Sequence, residues 1–192
     1  MLLKTTKGNI LLELFEKEAP NTVANFIFLV EKKFYEDSPF HSVIPGFVAQ
    51  TGSSAKTGEP DPGYRIACEC EKPGARKHFR GSVSMALSGK DTGGSQFFIC
   101  LTPTNELDGV NTVFGRVIQG WDALSELTPM DPGNPDPMAE MDKIISAEVV
   151  RKTEGVKYRP KVIREKDITS KKTASKDEKT SQNNEKNESS AY

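Results

Sequence analysis

Apolar and polar positions alternate through residues 2–6 and 9–15, on either side of Lys7-Gly8. Ile10, Leu12 and Leu14 form one apolar face, and Leu11, Glu13 and Phe15 a mixed one. Successive strand side chains point to opposite faces, so this predicts a hairpin with one side on a core. From Pro20 the period changes. Val23, Phe26, Ile27, Val30 and Phe34 recur at helical spacing, and proline suits a first helical turn. Lys32 and Lys33 lie where cations favour the end of a helix dipole. Residues 40–44 and 47–51 predict two short strands around Pro45-Gly46, a type II turn. Residues 52–63 predict a loop, 64–70 a strand, 71–80 a basic loop and 82–86 a further strand.

The stretch GGSQFFICL, residues 93–101, stands apart. Alternation puts Gln96, Phe98 and Cys100 on one face, with Phe97, Ile99 and Leu101 on the other. One face suits a core. The second offers an amide beside an aromatic ring, which suits an extended peptide, although an ordinary buried strand has the same pattern. Residues 112–117 predict a strand in which Gly115 marks a bulge, 121–127 a short helix, and 143–152 a closing strand. The strands follow one another through turns rather than helical crossovers, which favours an antiparallel barrel.

Composition divides the chain. Residues 1–156 carry 16 basic and 21 acidic side chains, and residues 157–192 carry 10 and 6. The net charge of −1 gives no basic field for nucleic acid. Residues 165–192 are Lys, Glu, Ser, Thr and Asn with almost nothing apolar, so they cannot offset their ordering entropy. The expectation is a folded domain over 1–153 and a disordered, charged, solubilising tail over 154–192. No run approaches the length of a membrane span, and the opening residues MLLKTTKGN hold no apolar h-region, as a processed precursor's would not either. Three cysteines, Cys68, Cys70 and Cys100, make no disulfide framework and read as buried free thiols in a reducing compartment. Cys68, Cys70 and His78 lack the second cysteine pair of a structural zinc site. A hydrolase reading of neighbouring His41 and Ser42 fails on strand alternation, which points the two apart. The overall expectation is a cytoplasmic monomer that binds neither membrane nor metal.

Three segments carry a family likeness: FHSVIPGFVAQTG (residues 40–52), SMA followed by GGSQFFIC (84–86 and 93–100), and LDGVNTVFGRVIQG (107–120). With APNTVANF (19–26) they resemble the cyclophilin-type peptidyl-prolyl isomerases over residues 1–152. The resemblance implies an eight-stranded antiparallel closed barrel capped by two helices, an external proline-binding groove and no cofactor. It implies Phe47, Phe98 and Leu107 around a proline ring, with Val48 beside them. Gln50 and Gln96 come near the peptide carbonyls, Ala86 and Leu87 form an edge for the substrate backbone, and Glu106 and Asn111 lie at the groove margin. The sequence departs from the family pattern at Ser42 (usually the catalytic arginine), Thr51 (usually glycine), Leu87 (often asparagine), Glu106 (tryptophan or histidine) and Asn111 (often histidine). The expected substrates are proline-containing peptides and flexible or unfolded segments. A peptide bond resists rotation by about 18–20 kcal/mol, and catalysis needs an apolar seat for the ring and a donor near the proline nitrogen. Serine donates weakly and over a short reach, so the expectation is a weakened isomerase, or one in which Arg65, Arg76, Arg80 or Arg116 replaces the missing donor. The alternative is a non-catalytic module that grips proline segments.

Overall fold

The computed structural model describes residues 1–53, 62–134, 136 and 138–163. A hairpin opens it, β1 (Leu2–Thr5) and β2 (Gly8–Leu14), followed by α1 (Pro20–Glu31). Then come β3 (Ser38–Pro39), β4 (Ser42–Val43), β5 (Val48–Thr51), β6 (Ser82–Met85) and β7 (Phe97–Cys100). A 3-10 turn (Asn105–Leu107), β8 (Val113–Gln119), α2 (Trp121–Ser125) and β9 (Lys143–Glu148) complete it.

The strands form one antiparallel sheet in the order β3-β9-β1-β2-β8-β6-β7-β5-β4. This corrects the expected closed eight-stranded barrel. Among the described residues there are nine strands, and the sheet they form curls without a hydrogen-bonded pairing of its edges β3 and β4. The reason is local: the expected strand over 40–44 is split. Phe40 N–H donates to Asp142 O on one side, and Val43 N–H to Met130 O on the other. The chain therefore pairs with β9 at Ser38–Pro39 and with β5 at Ser42–Val43, and crosses from one end of the sheet to the other between them.

α1 packs across the inner face. Val23, Phe26, Ile27 and Val30 are buried as the period requires, and Phe34 falls beyond the helix end, partly buried. Phe26 centres an aromatic cluster with Tyr35, Phe97 and Phe114, at ring separations of 5.1–5.2 Å. Its N-cap residue, Ala19, supplies no side chain. Glu69, from a distant loop, takes that place, its carboxylate accepting from Thr22 N–H (2.8 Å), Thr22 Oγ1 (2.8 Å) and Asn21 N–H (3.3 Å). Burial pushes the Glu69 carboxyl up, but hydrogen bonds from Lys72 and Thr22 outweigh it and hold it below the ordinary carboxylate value.

Residues 64–70 are not the expected strand. Only isolated bridges form there, Arg65 with Ile163 and Ile66 with Gly93. Side chains take the backbone donors instead: Asp91 Oδ1 accepts Cys68 N–H, and Thr112 Oγ1 accepts Glu69 N–H. Cys68 and Cys70 are corrected too, for they are disulfide-bonded and partly exposed, whereas Cys100 is free and buried. Gly115 does accompany irregular pairing, since the register of β8 slips against both β2 and β6. Past residue 153 the described chain stays on the body. Tyr158 is buried and its hydroxyl donates to Glu16, while Lys161 N–H donates to Asn21 Oδ1. The rest of the expected tail, 164–192, lies outside the described residues.

Candidate functional site: a groove on the outer face of β4-β5-β7-β6

Strand register places the candidate residues. Ser42 pairs with Gln50, Gln50 with Phe98, and Phe98 with Ser84, a single row across four strands. Residues in one row share a face. The adjacent row, Val43, Ala49, Ile99 and Val83, points the opposite way into the core. The two faces read from the alternation in residues 96–101 are therefore found, with Phe97 and Ile99 inside and Phe98 and Cys100 outside.

On the outer face Val48, Phe98 and Cys100 make a small apolar cluster, ringed by partly buried Phe47, Ala86 and Leu107. The Pro45-Gly46 turn sets Phe47 at its rim. Gly46 has φ +73, and Phe47 N–H closes the turn onto Ile44 O at 3.0 Å. Beside the cluster Gln50 Nε2 donates to Gln96 Oε1 at 2.9 Å. A cavity of about 160 Å³ adjoins the two amides, lined also by Arg65, Ala86, Leu87 and Thr92. Ala86 N–H, one of the expected edge pair, is engaged by Gln96 O (3.0 Å).

The margin residues differ from one another. Glu106 sits exposed on the 3-10 turn. Asn111 is buried, and its Nδ2 donates to Met85 O at 2.8 Å, so its amide braces the wall instead of facing the opening. Of the four arginines, Arg76 pairs with Glu18, Arg116 with Glu13, and Arg80 lies over Trp121. Arg65 alone of these lines the cavity with Gln50 and Gln96.

The sequence reading missed a polar support beneath the floor. His78, fully buried, stacks on the Phe98 ring at 5.9 Å between centroids and 15° between planes. Its Nδ1 meets Asp108 Oδ1 and its Nε2 meets Ser84 Oγ, both at 2.9 Å. Partial burial raises the Asp108 carboxyl, but hydrogen bonds from the His78 ring and backbone outweigh it and hold the group below its ordinary value. Serine, histidine and aspartate stand here in the order of a hydrolytic triad. Ser84 is wholly buried beside the floor, however, so no carbonyl can reach it. The set acts on the ring above it. No local motif announces it, because Asp108 is thirty residues from His78. His41, at the other end of the groove strands, has its Nδ1 buried without a partner among the described residues, and burial lowers its pKa from the ordinary imidazole value.

The curled antiparallel sheet thus carries an apolar cluster beside two paired amides on its outer face. The sequence model for cyclophilin type peptidyl-prolyl cis-trans isomerase/CLD matches residues 1–149, and the chain belongs to that family. It is 50% identical over 132 residues to a peptidyl-prolyl cis-trans isomerase of Helicobacter pylori, covering 69% of this chain and 80% of the relative. A cyclophilin type peptidyl-prolyl cis-trans isomerase crystal structure from Cryptosporidium parvum superposes with a TM-score of 0.67 at 31% identity, over 76% of this chain and 93% of that one. The same Cryptosporidium protein, crystallised in the presence of the dipeptide Ala-Pro, gives TM-score 0.67 at 30% identity, over 76% of this chain and 94% of that one. The function that family and relatives establish is peptidyl-prolyl cis-trans isomerisation. Among the described residues no helix is long and apolar enough to cross a membrane, and no group of three or more His, Cys, Asp or Glu is placed to hold a metal ion.

Proposed function

We propose that the outer groove is where this isomerase turns Xaa-Pro bonds over. The proline ring lies on Phe98 between Phe47, Val48, Ala86 and Leu107, while Gln50 and Gln96 hold the peptide carbonyls. Leu87 offers backbone to the substrate strand, and Glu106 borders the mouth. Asn111 serves the groove through Met85 rather than by touching the peptide. The observation that carries this reading is the row Ser42–Gln50–Phe98, which puts a hydroxyl, an amide and an apolar floor on one face. The chemistry asks for no nucleophile, metal or cofactor: the seat restrains the ring while the carbonyl side rotates, and a donor stabilises the nitrogen lone pair as resonance is lost.

Ser42 occupies the register position from which a longer donor would reach over the floor. Losing one well-placed donor costs about 2.7–4 kcal/mol of barrier, so this chain is a slow isomerase with flexible, proline-containing segments as substrates. The comparison that tests it is the uncoupled cis-to-trans rate of an Ala-Ala-Pro-Phe-type peptide with the native chain and with Ser42→Arg. A gain of about tenfold or more (1.4 kcal/mol) supports the reading. A native rate already fast, unchanged in Ser42→Arg but lost in Arg65→Ala, moves the donor role to Arg65. Binding of proline peptides without turnover in either protein favours a gripping module, the reading that the uncharged Ser42 itself suggests. The protein works as a cytoplasmic monomer that binds neither nucleic acid nor membrane, its folded body running past residue 153 through the contacts of Tyr158 and Lys161 and the charged tail beyond keeping it soluble. Its charge balance and lack of a long apolar run support that part.

A further inference from the structure

The Cys68–Cys70 pair has no part in the groove chemistry, yet it abuts the segment that braces the groove. Both sulfurs face the Val110 carbonyl, at 3.6 Å from Cys68 and 3.4 Å from Cys70. Val110 N–H and Asn111 N–H both donate to Leu107 O at 3.1 Å, and Leu107 is a wall of the apolar seat. Asn111 Nδ2 and Thr112 O then clasp Met85, the residue before Ala86, through its carbonyl and its N–H. The cysteines thus lie one residue from atoms that fix two sides of the groove.

The bridge itself closes the shortest loop a Cys-x-Cys sequence allows. A loop that short removes little entropy from the unfolded chain, so the bond is a poor structural staple. Both residues are partly exposed and open to small thiols. Their environments also differ. Cys68 Sγ has two donors at hand, Cys70 N–H at 3.4 Å and Thr112 Oγ1 at 3.3 Å. Thr112 Oγ1 already accepts Glu69 N–H at 2.8 Å, which leaves its hydrogen for the sulfur. Those donors stabilise negative charge on Cys68 and make it the better leaving thiolate.

We infer that Cys68 and Cys70 form a thiol–disulfide exchange site for low-molecular-weight thiols of the glutathione class, and that its redox state sets how firmly Val110–Thr112 holds the groove. A thiolate attacks Cys70 Sγ, the S–S bond breaks, and the electron pair goes to Cys68 Sγ, which takes a proton from solvent. A second thiolate attacks the outer sulfur of the mixed disulfide, releasing Cys70 as thiolate and the two small thiols as their disulfide. Two electrons have passed to the protein. The Cys70 thiol, once protonated, donates to Val110 O, a bond that the disulfide sulfur has no hydrogen to make. Reduction therefore fastens the wall, and oxidation loosens it.

The effect on the groove rests on the isomerase reading; the exchange itself does not. The test equilibrates the full chain with reduced and oxidised glutathione at graded ratios, counts free thiols by alkylation and mass, follows backbone amides by NMR, and measures KM for a proline peptide in each state. Oxidation is expected to remove two of the three thiols, leaving Cys100, and reduction to shift the amides of Leu107, Val110 and Asn111. KM falls about two- to threefold on reduction with kcat unchanged, as one weak S–H···O bond implies. Cys70→Ser, which keeps a hydroxyl donor, stays at the reduced KM whatever the buffer, and Cys70→Ala at the oxidised one. Three titratable thiols at every ratio, or amides that do not move, would overturn the site. A KM equal in both states overturns its link to the groove. Turnover absent in both states while the amides still shift would sink the isomerase reading and leave the exchange site standing.

Discussion

The two faces of β7 bury aromatic rings for opposite ends. Phe97, on the inner face, meets Phe26 at 5.1 Å and Tyr35 at 5.6 Å, edge to face, and is enclosed by carbon. Phe98, one residue on, belongs to a cluster of only three buried residues, and its reverse side rests on an imidazole held by Asp108 and Ser84. A core ring works by being filled around. Phe98, buried too, is held in one plane by a hydrogen-bonded imidazole. The inner face answers to packing, and the outer face to a polar scaffold that fixes the ring's plane.

The sharpest way to break this contrast is to truncate each ring. Phe97→Ala should cost about 3–5 kcal/mol in denaturant melts, because a full aromatic cavity opens in the core. Phe98→Ala should cost less stability but lower the isomerisation rate by about tenfold or more. Equal losses in both properties for both variants would erase the distinction. Next in size is the scaffold. His78→Ala leaves Asp108 and Ser84 without their partner, at about 1–3 kcal/mol, and should raise KM for proline peptides as the floor loosens. His78→Ala with unaltered KM would reduce the imidazole to a filler.

A third test concerns Glu69, which serves only the inner side by capping α1. Its carboxyl is held below the ordinary value in the fold, so its stabilisation is present above that value and is lost as pH falls through the folded pKa. Glu69→Gln should flatten the acid limb of the stability curve in chemical melts across pH, with little effect on KM. The smallest effect is expected at His41. Burial lowers its pKa in the fold, so the unfolded chain binds the proton more readily. Stability should then decline as pH drops through the ordinary imidazole value, and His41→Gln should remove that step from melts followed across the same range.

Much of this contrast is legible in the sequence. Alternation in residues 96–101 separated the two faces, and the helical period from Val23 to Val30 located the element that covers the inner one. Residues 64–70 misled because Tyr64, Ile66, Cys68 and Cys70 keep a strand's period while their backbone donors go to Asp91 and Thr112. Periodicity records which way side chains face, not which partner the backbone finds. His78 was hidden for a related reason: its partners are Ser84 and Asp108, and only the register of β6 against β7 brings the three under one ring. The partners of Arg76, Arg80 and Arg116 were equally hidden, since Glu18, Trp121 and Glu13 lie far from them along the chain.

The split between β3 and β4 has a consequence for how copies of this chain meet one another. A sheet normally ends in rows of unpaired N–H and C=O groups, which invite another chain to add a strand. Here each edge is two residues long, and one of them contains Pro39, which has no N–H to offer. These terminal strands themselves give a foreign strand few rungs to climb. A member of a peptidyl-prolyl isomerase family thus ends its sheet in two terminal strands too short to seed a long added one.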